Sequence, residues 1–299
     1  MSSLVIIDGN NTAYKAYYAY ARLTYKGKPV SILYGFISMV RMVISRFTPN
    51  KVIVCWDSTR SPHRTKVLPT YKAGRKDKVN ARFDPDDFNR QLSILQKVLH
   101  ILNVFQVKGQ GIEADDWIFK LYMRYRKRYK RIIIISSDKD FHQMLTDDRV
   151  TIWESSKKLL LHKKTLHKHF PYKPDEVVDY LSLDGDKSDS IPGYRGMGEK
   201  KIRVFLDEFG SISSFLNNKN FEFPSIDKEK LLEVYKTNRI LIDLRVFYKK
   251  FMKKQKITFL KENPTFKHKS FLQFCSKYNF VSFSNQLFTR PFKTLNNED

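Results

Sequence analysis

Acidic residues sit in this chain where chemistry could use them. Asp8, Asp57 and Asp138 each follow a β-branched apolar run: Leu4 to Ile7, Val52 to Trp56, and Ile132 to Ile135 through Ser136-Ser137. Short continuous runs of this kind read as strands buried on both faces, as in a parallel sheet. Ligands of open α/β sheets bind beyond the carboxyl ends of the strands, so three carboxylates would meet at one edge. Glu113-Ala114-Asp115-Asp116 opens a helix after a strand at 104–107 and a loop at 108–111, and Glu113 and Asp116 share a helix face. Alone, this cluster reads equally well as favourable charge at a helix N-terminus. Asp138-Lys139-Asp140 alone reads as turn chemistry. Taken together, seven converging acids would repel and raise one another's pKa unless cations neutralised them. Oxygen-only donors suit Mg²⁺ or Mn²⁺. No zinc pattern is present: His162, His167 and His169 lack a Cys or acid at ligand spacing and read as a basic polar segment.

The elements that must position these acids alternate. Helical patterns at about 12–20, 32–47, 86–102 and 140–146 follow the strands, which predicts an α/β fold with a central, mostly parallel twisted sheet flanked by helices. A basic segment from Arg60 to Arg82 carries eight Lys or Arg and leaves directly from Asp57. It would overhang the acids and draw in a polyanion, the alternative being a solvated loop. Lys120 to Arg131 carries seven Lys or Arg around Tyr122, Tyr125 and Tyr129 and reads as the outer face of a helix. After about residue 171 strands give way to helices. Pro174 to Leu183 reads as a helix with proline in its first turn. Gly193, Gly196 and Gly198 then form a tight turn before a helix running to about Phe209, with Gly210 as its stop. Glycines there let backbone N–H groups approach a phosphate, and Lys200 and Lys201 favour an anion. This is a helix-hairpin-helix pattern at about 175–210, a sequence-independent reader of nucleic-acid backbone. Asp186 and Asp189 lie just before it. The expected division is an α/β core at 1–170, with a basic helical arch at about 60–85, and a helical region at 171–299 ending in a C-terminal extension.

Composition narrows the class. The 299 residues include 55 Lys+Arg against 31 Asp+Glu, a net charge of +24, and 41% are hydrophobic. A charge of this size points to a polyanionic partner, nucleic acid first and anionic membrane second. No apolar run approaches a membrane span, and the N-terminus lacks the features of a signal peptide. The two cysteines, Cys55 and Cys275, read as small buried hydrophobes in a reducing, cytoplasmic compartment.

With these residues in place, the chain resembles the 5′-nucleases of the flap-endonuclease superfamily, above all the 5′-nuclease domain of bacterial DNA polymerase I and the stand-alone bacteriophage 5′→3′ exonucleases. The matching stretches are Ile6-Ile-Asp-Gly-Asn-Asn, Val54-Cys-Trp-Asp57, Tyr71-Lys-Ala-Gly-Arg75, Gly111-Ile-Glu-Ala-Asp-Asp116, Ser136-Ser-Asp-Lys-Asp140 and Gly185 to Lys200, in family order. No polymerase-like segment follows, so the free-standing form is expected. The resemblance implies a fold of the PIN and flap-endonuclease type with a helix-hairpin-helix region. It implies two Mg²⁺ ions, replaceable by Mn²⁺, and K⁺ at the hairpin. Asp8, Glu113, Asp115, Asp138 and Asp140 match first-metal ligands or their neighbours, Asp186 and Asp189 the second-metal side, and Asp57 and Asp116 acids that hold metal-bound water or the inner shell. Lys72 and Arg75 match a cationic pair that clamps the scissile phosphate at the arch base. Lys15 stands where the family usually has Arg, which keeps the charge but loses bidentate geometry. Tyr71 and the hairpin residues would contact DNA. The implied substrate is branched or 5′-ended duplex DNA with a 5′ single-stranded flap, cut in replication or RNA-primer removal by a monomer that could meet a polymerase or a single-strand-binding protein. Alternatives are a nuclease preferring RNA–DNA hybrids and a non-catalytic DNA-binding relative.

Overall fold

Valine and isoleucine in the short apolar runs build a six-stranded sheet, described from a computed structural model. It describes residues 2–75 and 83–296, without the side chain of Arg75, so residues 76–82 of the expected arch and the Arg75 side chain lie outside the described residues. In chain order, β1 (Ser3–Asp8) leads into α1 (Gly9–Ala19), a small hairpin of β2 (Thr24–Tyr25) and β3 (Lys28–Pro29), and α2 (Ser31–Phe47). Then come β4 (Lys51–Cys55), α3 (Pro62–Val67), α4 (Pro85–Ile101), β5 (Phe105–Val107), α5 (Ala114–Tyr125) and β6 (Arg131–Ile135). After a 3₁₀ turn (Lys139–Thr146) follow β7 (Val150–Glu154) and β8 (Leu159–Leu161). The sheet order is β5-β4-β1-β6-β7-β8, parallel except for β8 at the edge.

Because the strands alternate faces, the sheet serves two cores. Leu4, Ile6, Ile53, Ile132 and Ile134 pack toward α5 and onward into the helical region. Val5, Ile7, Val52, Val54, Ile133 and Ile135 face the opposite core with α2 and α4. The helical region holds α6 (Val177–Asp184), a two-residue ladder of β9 (Gly185–Asp186) and β10 (Ile191–Pro192), α7 (Glu199–Phe209), α8 (Ile212–Asn217), α9 (Lys228–Ile242) and α10 (Leu244–Phe247), the last continuing as a π-turn (Tyr248–Met252). Among the described residues, no helix is long and apolar enough to cross a membrane. Both cysteines are free and buried.

Two local expectations change. The helix at 140–146 is a 3₁₀ turn capped by Asp138. The helix expected from Pro174 begins at Val177, with Pro174 in the preceding turn. Within the segment expected as a helical arch, Ser61 caps Arg64 N–H and Pro62 opens α3, the pairing of cap and N-terminal proline that starts a helix.

The C-terminal extension returns to the α/β core. Phe259 bridges to Val107 and Phe266 to Leu102. The helices α11 (His268–Tyr278) and α12 (Gln286–Lys293) and the 3₁₀ turn between them (Val281–Phe283) then bury Phe271, Phe274, Phe283 and Phe292 in the core shared with α2 and α4. Asn296 N–H ends on the Asn50 carbonyl at 2.9 Å. The phenylalanines of the tail are therefore a wall of the nuclease-type core. Phe271→Ala, at a fully buried site, is expected to cost about 3–5 kcal/mol, measured as a lower urea midpoint with the slope unchanged.

Candidate active site

Strand ends place the acids. Asp8 closes β1 and caps α1, accepting Asn11 N–H at 3.1 Å and the Ser136 hydroxyl at 2.9 Å. Asp57 lies two residues past β4 and accepts the first N–H of α5, from Ala114, at 2.8 Å. It thereby ties one strand end to the helix that carries Glu113, Asp115 and Asp116. Asp138 lies three residues past β6 and caps the 3₁₀ turn through Asp140 N–H at 3.0 Å. From the helical region, Asp186 accepts the Ser188 and Asp189 amides at 2.6 and 3.3 Å. Asp189 accepts Lys72 N–H on its carbonyl at 2.8 Å.

Burial first, and mutual repulsion after it, set the protonation of this group. Burial first and then the charge of Asp57 push Asp8 up to about 7. Asp115 stands well above the usual carboxylate range through burial, then Asp138 and Asp8. Asp140 does so through burial, then Asp138, Asp189 and Asp186. Asp138 is raised chiefly by burial, with Asp189 and Asp186 adding. Acids from β1, β4, α5, β6 and the helical region therefore share one field. Among the described residues, no three are drawn tightly enough together to enclose an ion in this arrangement. The donor set fits a hard divalent cation in another respect: it is oxygen-only and its carboxylates press against one another, the condition that such a cation relieves.

Glu113 differs. Burial pushes its carboxyl up, but Lys72 and Arg64 outweigh that and hold it below the usual range. Lys72 Nζ lies 2.8 Å from Glu113 and 3.8 Å from Asp189, and the Tyr71 hydroxyl donates to Glu113 at 2.9 Å and to Asp189 at 3.3 Å. Tyr71 is 2% exposed. Expected to touch nucleic acid, it instead pins carboxylates of both regions, because its ring packs in the core beneath them. Lys72 likewise faces carboxylates as it stands, from a residue with left-handed backbone. Lys15 is half-buried on α1, its amine pushed down by burial while Glu154 and Asp8 act against the shift.

Arg64 is the residue that the sequence did not single out. Only 2% exposed, it holds Asp116 with two bonds of 2.9 and 2.8 Å, reaches Glu113 at 3.4 Å and the Leu241 carbonyl at 3.4 Å, and lies 3.9 Å over the Phe247 ring. Asp116, expected among the metal-facing acids, is committed to this fork and to Glu113 N–H. The available signal was the Ser61-Pro62 helix start, which turns a loop cation into a core one.

In the hairpin, Gly193 packs against the Leu183 and Asp184 carbonyls, where an added Cβ would come within 2.4 Å. It serves close packing and not an open surface. Gly196 and Gly198 have nothing within 4 Å of such a Cβ, and Gly196 has φ +87°. Gly198 caps α7 without a side chain, and Lys200 and Lys201 are exposed beside it.

These two regions coincide with two family models. The 5′-3′ exonuclease N-terminal resolvase-like domain matches residues 3–173, and the 5′-3′ exonuclease C-terminal SAM fold matches residues 172–257. The chain belongs to the 5′-3′ exonuclease family. The family is one of nucleases, which are hydrolases. The chain is similar to the thermostable DNA polymerase I of Thermus aquaticus, 32% identical over 230 residues, 77% of this chain but only 26% of the polymerase. It is also similar to a 5′-3′ exonuclease of Aquifex aeolicus, 30% identical over 250 residues, 82% of this chain and 84% of that protein. In fold it resembles the bacteriophage T5 flap endonuclease, solved as a pseudo-enzyme–product complex with DNA and metal ions, with a TM-score of 0.69 and 22% identity over 82% of this chain and 90% of the other.

Two outcomes follow from this geometry. Arg64→Ala strands Asp116 and part of the Glu113 compensation in a buried site, and should cost about 3–5 kcal/mol in chemical denaturation. Arg64→Lys should recover only part of it, since an ammonium lacks the planar fork. In EDTA, folded Asp8 keeps its proton up to about pH 7, whereas the unfolded carboxyl loses it near pH 4, so the folded state binds more protons and stability falls as pH rises between them. Melting temperatures in EDTA should therefore drop from about pH 5 to about pH 8, and Mg²⁺ should restore most of the loss at the higher pH.

Proposed function

We propose that the protein is a metal-dependent, structure-specific 5′-nuclease that hydrolyses DNA phosphodiesters near 5′ ends, as a 5′→3′ exonuclease and a 5′-flap endonuclease. The observation that carries this reading is the meeting of carboxylates from both regions across Tyr71 and Lys72, beside an exposed glycine-lysine hairpin. The T5 protein of like fold was solved with DNA and metal ions, and T5 5′-exonuclease with zinc.

Asp8, Glu113, Asp115, Asp138 and Asp140 would hold one Mg²⁺ and Asp186 and Asp189 a second, and Mn²⁺ has the same donor preference. When bound, such ions supply positive charge to the phosphate and lower the pKa of water. The chain's own residues do the rest. Asp57 fixes the start of α5 and so the position of Glu113 and Asp115. Tyr71 orients Glu113. Lys72, with Lys15, would provide the positive charge that balances a phosphate oxygen as charge develops on it. Asp116 acts through Arg64, keeping α3 and α5 in register. At the hairpin, the amides at Gly196 and Gly198 and the amines of Lys200 and Lys201 would grip duplex backbone, which gives salt-dependent binding without sequence preference.

A 5′-labelled flap duplex incubated with Mg²⁺ should yield short labelled products near the junction, none in EDTA and none with Asp138→Ala. Lys72→Ala should slow turnover about 10²–10³-fold while duplex affinity, measured without metal, stays put. Duplex binding with no cleavage in either Mg²⁺ or Mn²⁺ would discard the enzymatic reading.

A further inference from the structure

Two acid-free basic stretches meet on a flank of the molecule. From Trp117 to Arg131 the chain holds seven Lys or Arg and no acid, and Leu244 to Lys261 holds seven more and again no acid. The fold lays them side by side. Lys120 Nζ donates to the Met252 and Lys253 carbonyls at 2.7 and 3.3 Å, and the Tyr248 ring meets Phe119 edge-on. Between them runs a groove of about 430 Å³, lined by Lys120, Arg124, Tyr248 and Lys256. Arg124, Lys250, Lys253, Lys254 and Lys256 are exposed. Asp147, near the end of α5, is taken up by Arg149 and the Tyr122 hydroxyl.

This groove is separate from the carboxylate edge. The helix α5 starts at that edge with Glu113 and runs back toward the amino end of β6, so Arg124 lies about 16 Å along its axis from the acids. The other wall springs from the arch base, where Phe251 stacks on His63 of α3 at 4.2 Å.

Fourteen like charges on two adjoining stretches repel one another, and a polyanion removes that cost. The groove is too small for a duplex but has room for a nucleotide or two. A guanidinium, the Lys256 amine and a tyrosine beside Met123 and Ile257 in an open groove match the phosphates and bases of a flexible strand. An anionic membrane would use only the charge, whereas the groove's ring and guanidinium add contacts that bases and phosphates use. We propose that the α5 groove binds the backbone of single-stranded nucleic acid, as a surface distinct from the carboxylate edge and the glycine hairpin.

The test needs no cleavage, so its outcome is independent of the nuclease reading. Fluorescence anisotropy of labelled oligodeoxythymidylate is titrated in EDTA with the full chain and with the double variant Arg124→Glu, Lys256→Glu, at several salt concentrations. The variant should bind about tenfold or more weakly, with a salt slope shallower by about 1.4, the loss of two phosphate contacts at about 0.7 each. The neutral pair Arg124→Gln, Lys256→Gln should show the same change in slope, and covers the case in which charge reversal spoils folding. Equal affinity and slope in the wild type and the neutral pair would overturn the proposal. So would variants that lose only their retention on phosphatidylserine vesicles.

Discussion

Nine carboxylates gather at one sheet edge of a strongly basic protein, and their burial together with their mutual repulsion is the constraint to which the surrounding structure answers. Asp8, Asp115, Asp138 and Asp140 are all held above the usual range. The carboxylates of Asp8 and Asp138 are held in place by cap hydrogen bonds, Asp8 to Asn11 N–H and the Ser136 hydroxyl and Asp138 to Asp140 N–H. The protein places its compensating cations on the arch side, with Lys72 against Glu113 and Asp189, and Arg64 against Asp116. The site is thus acidic where it faces an incoming cation and neutralised behind, where α3 must pack on α5 and α9.

Arg64 illustrates why a buried ion pair is a device of arrangement more than of stability. Its fork fixes the distance from the arch base to α5, and its Leu241 and Phe247 contacts fix both to the helical region. One side chain therefore registers three sequence-distant parts against one another. Tyr71 and Lys72 repeat that logic one turn further on, with hydrogen bonds to both Glu113 and Asp189.

The strands and the acids at their ends were legible because both signals are local: a β-branched run, then Asp. Glu113 and Asp115 were legible as a pair at a helix start. Arg64 was not, since in the sequence it is one of eight cations between Arg60 and Arg82, and only the packing of α3 sets it apart. The burial of Tyr71 was not legible for the same reason, as its neighbours suggested an exposed arch while its ring lies in the core. The tail was mute. Its apolar residues fall at helical spacing, Phe271 and Phe274 with Cys275 and Tyr278, then Phe288 with Phe292, but what they cover, α2 and α4, lies more than 150 residues away in sequence, so nothing local could announce the contact.

The Asn296 to Asn50 hydrogen bond brings the end of the tail to the amino end of β4. Ser2 sits alongside, its carbonyl accepting from Lys130 just before β6. Both ends of the described chain thus emerge at the pole opposite the acids. A tether attached at either end, for surface immobilisation or single-molecule work, would hold the protein with its carboxylate edge and hairpin turned toward solution.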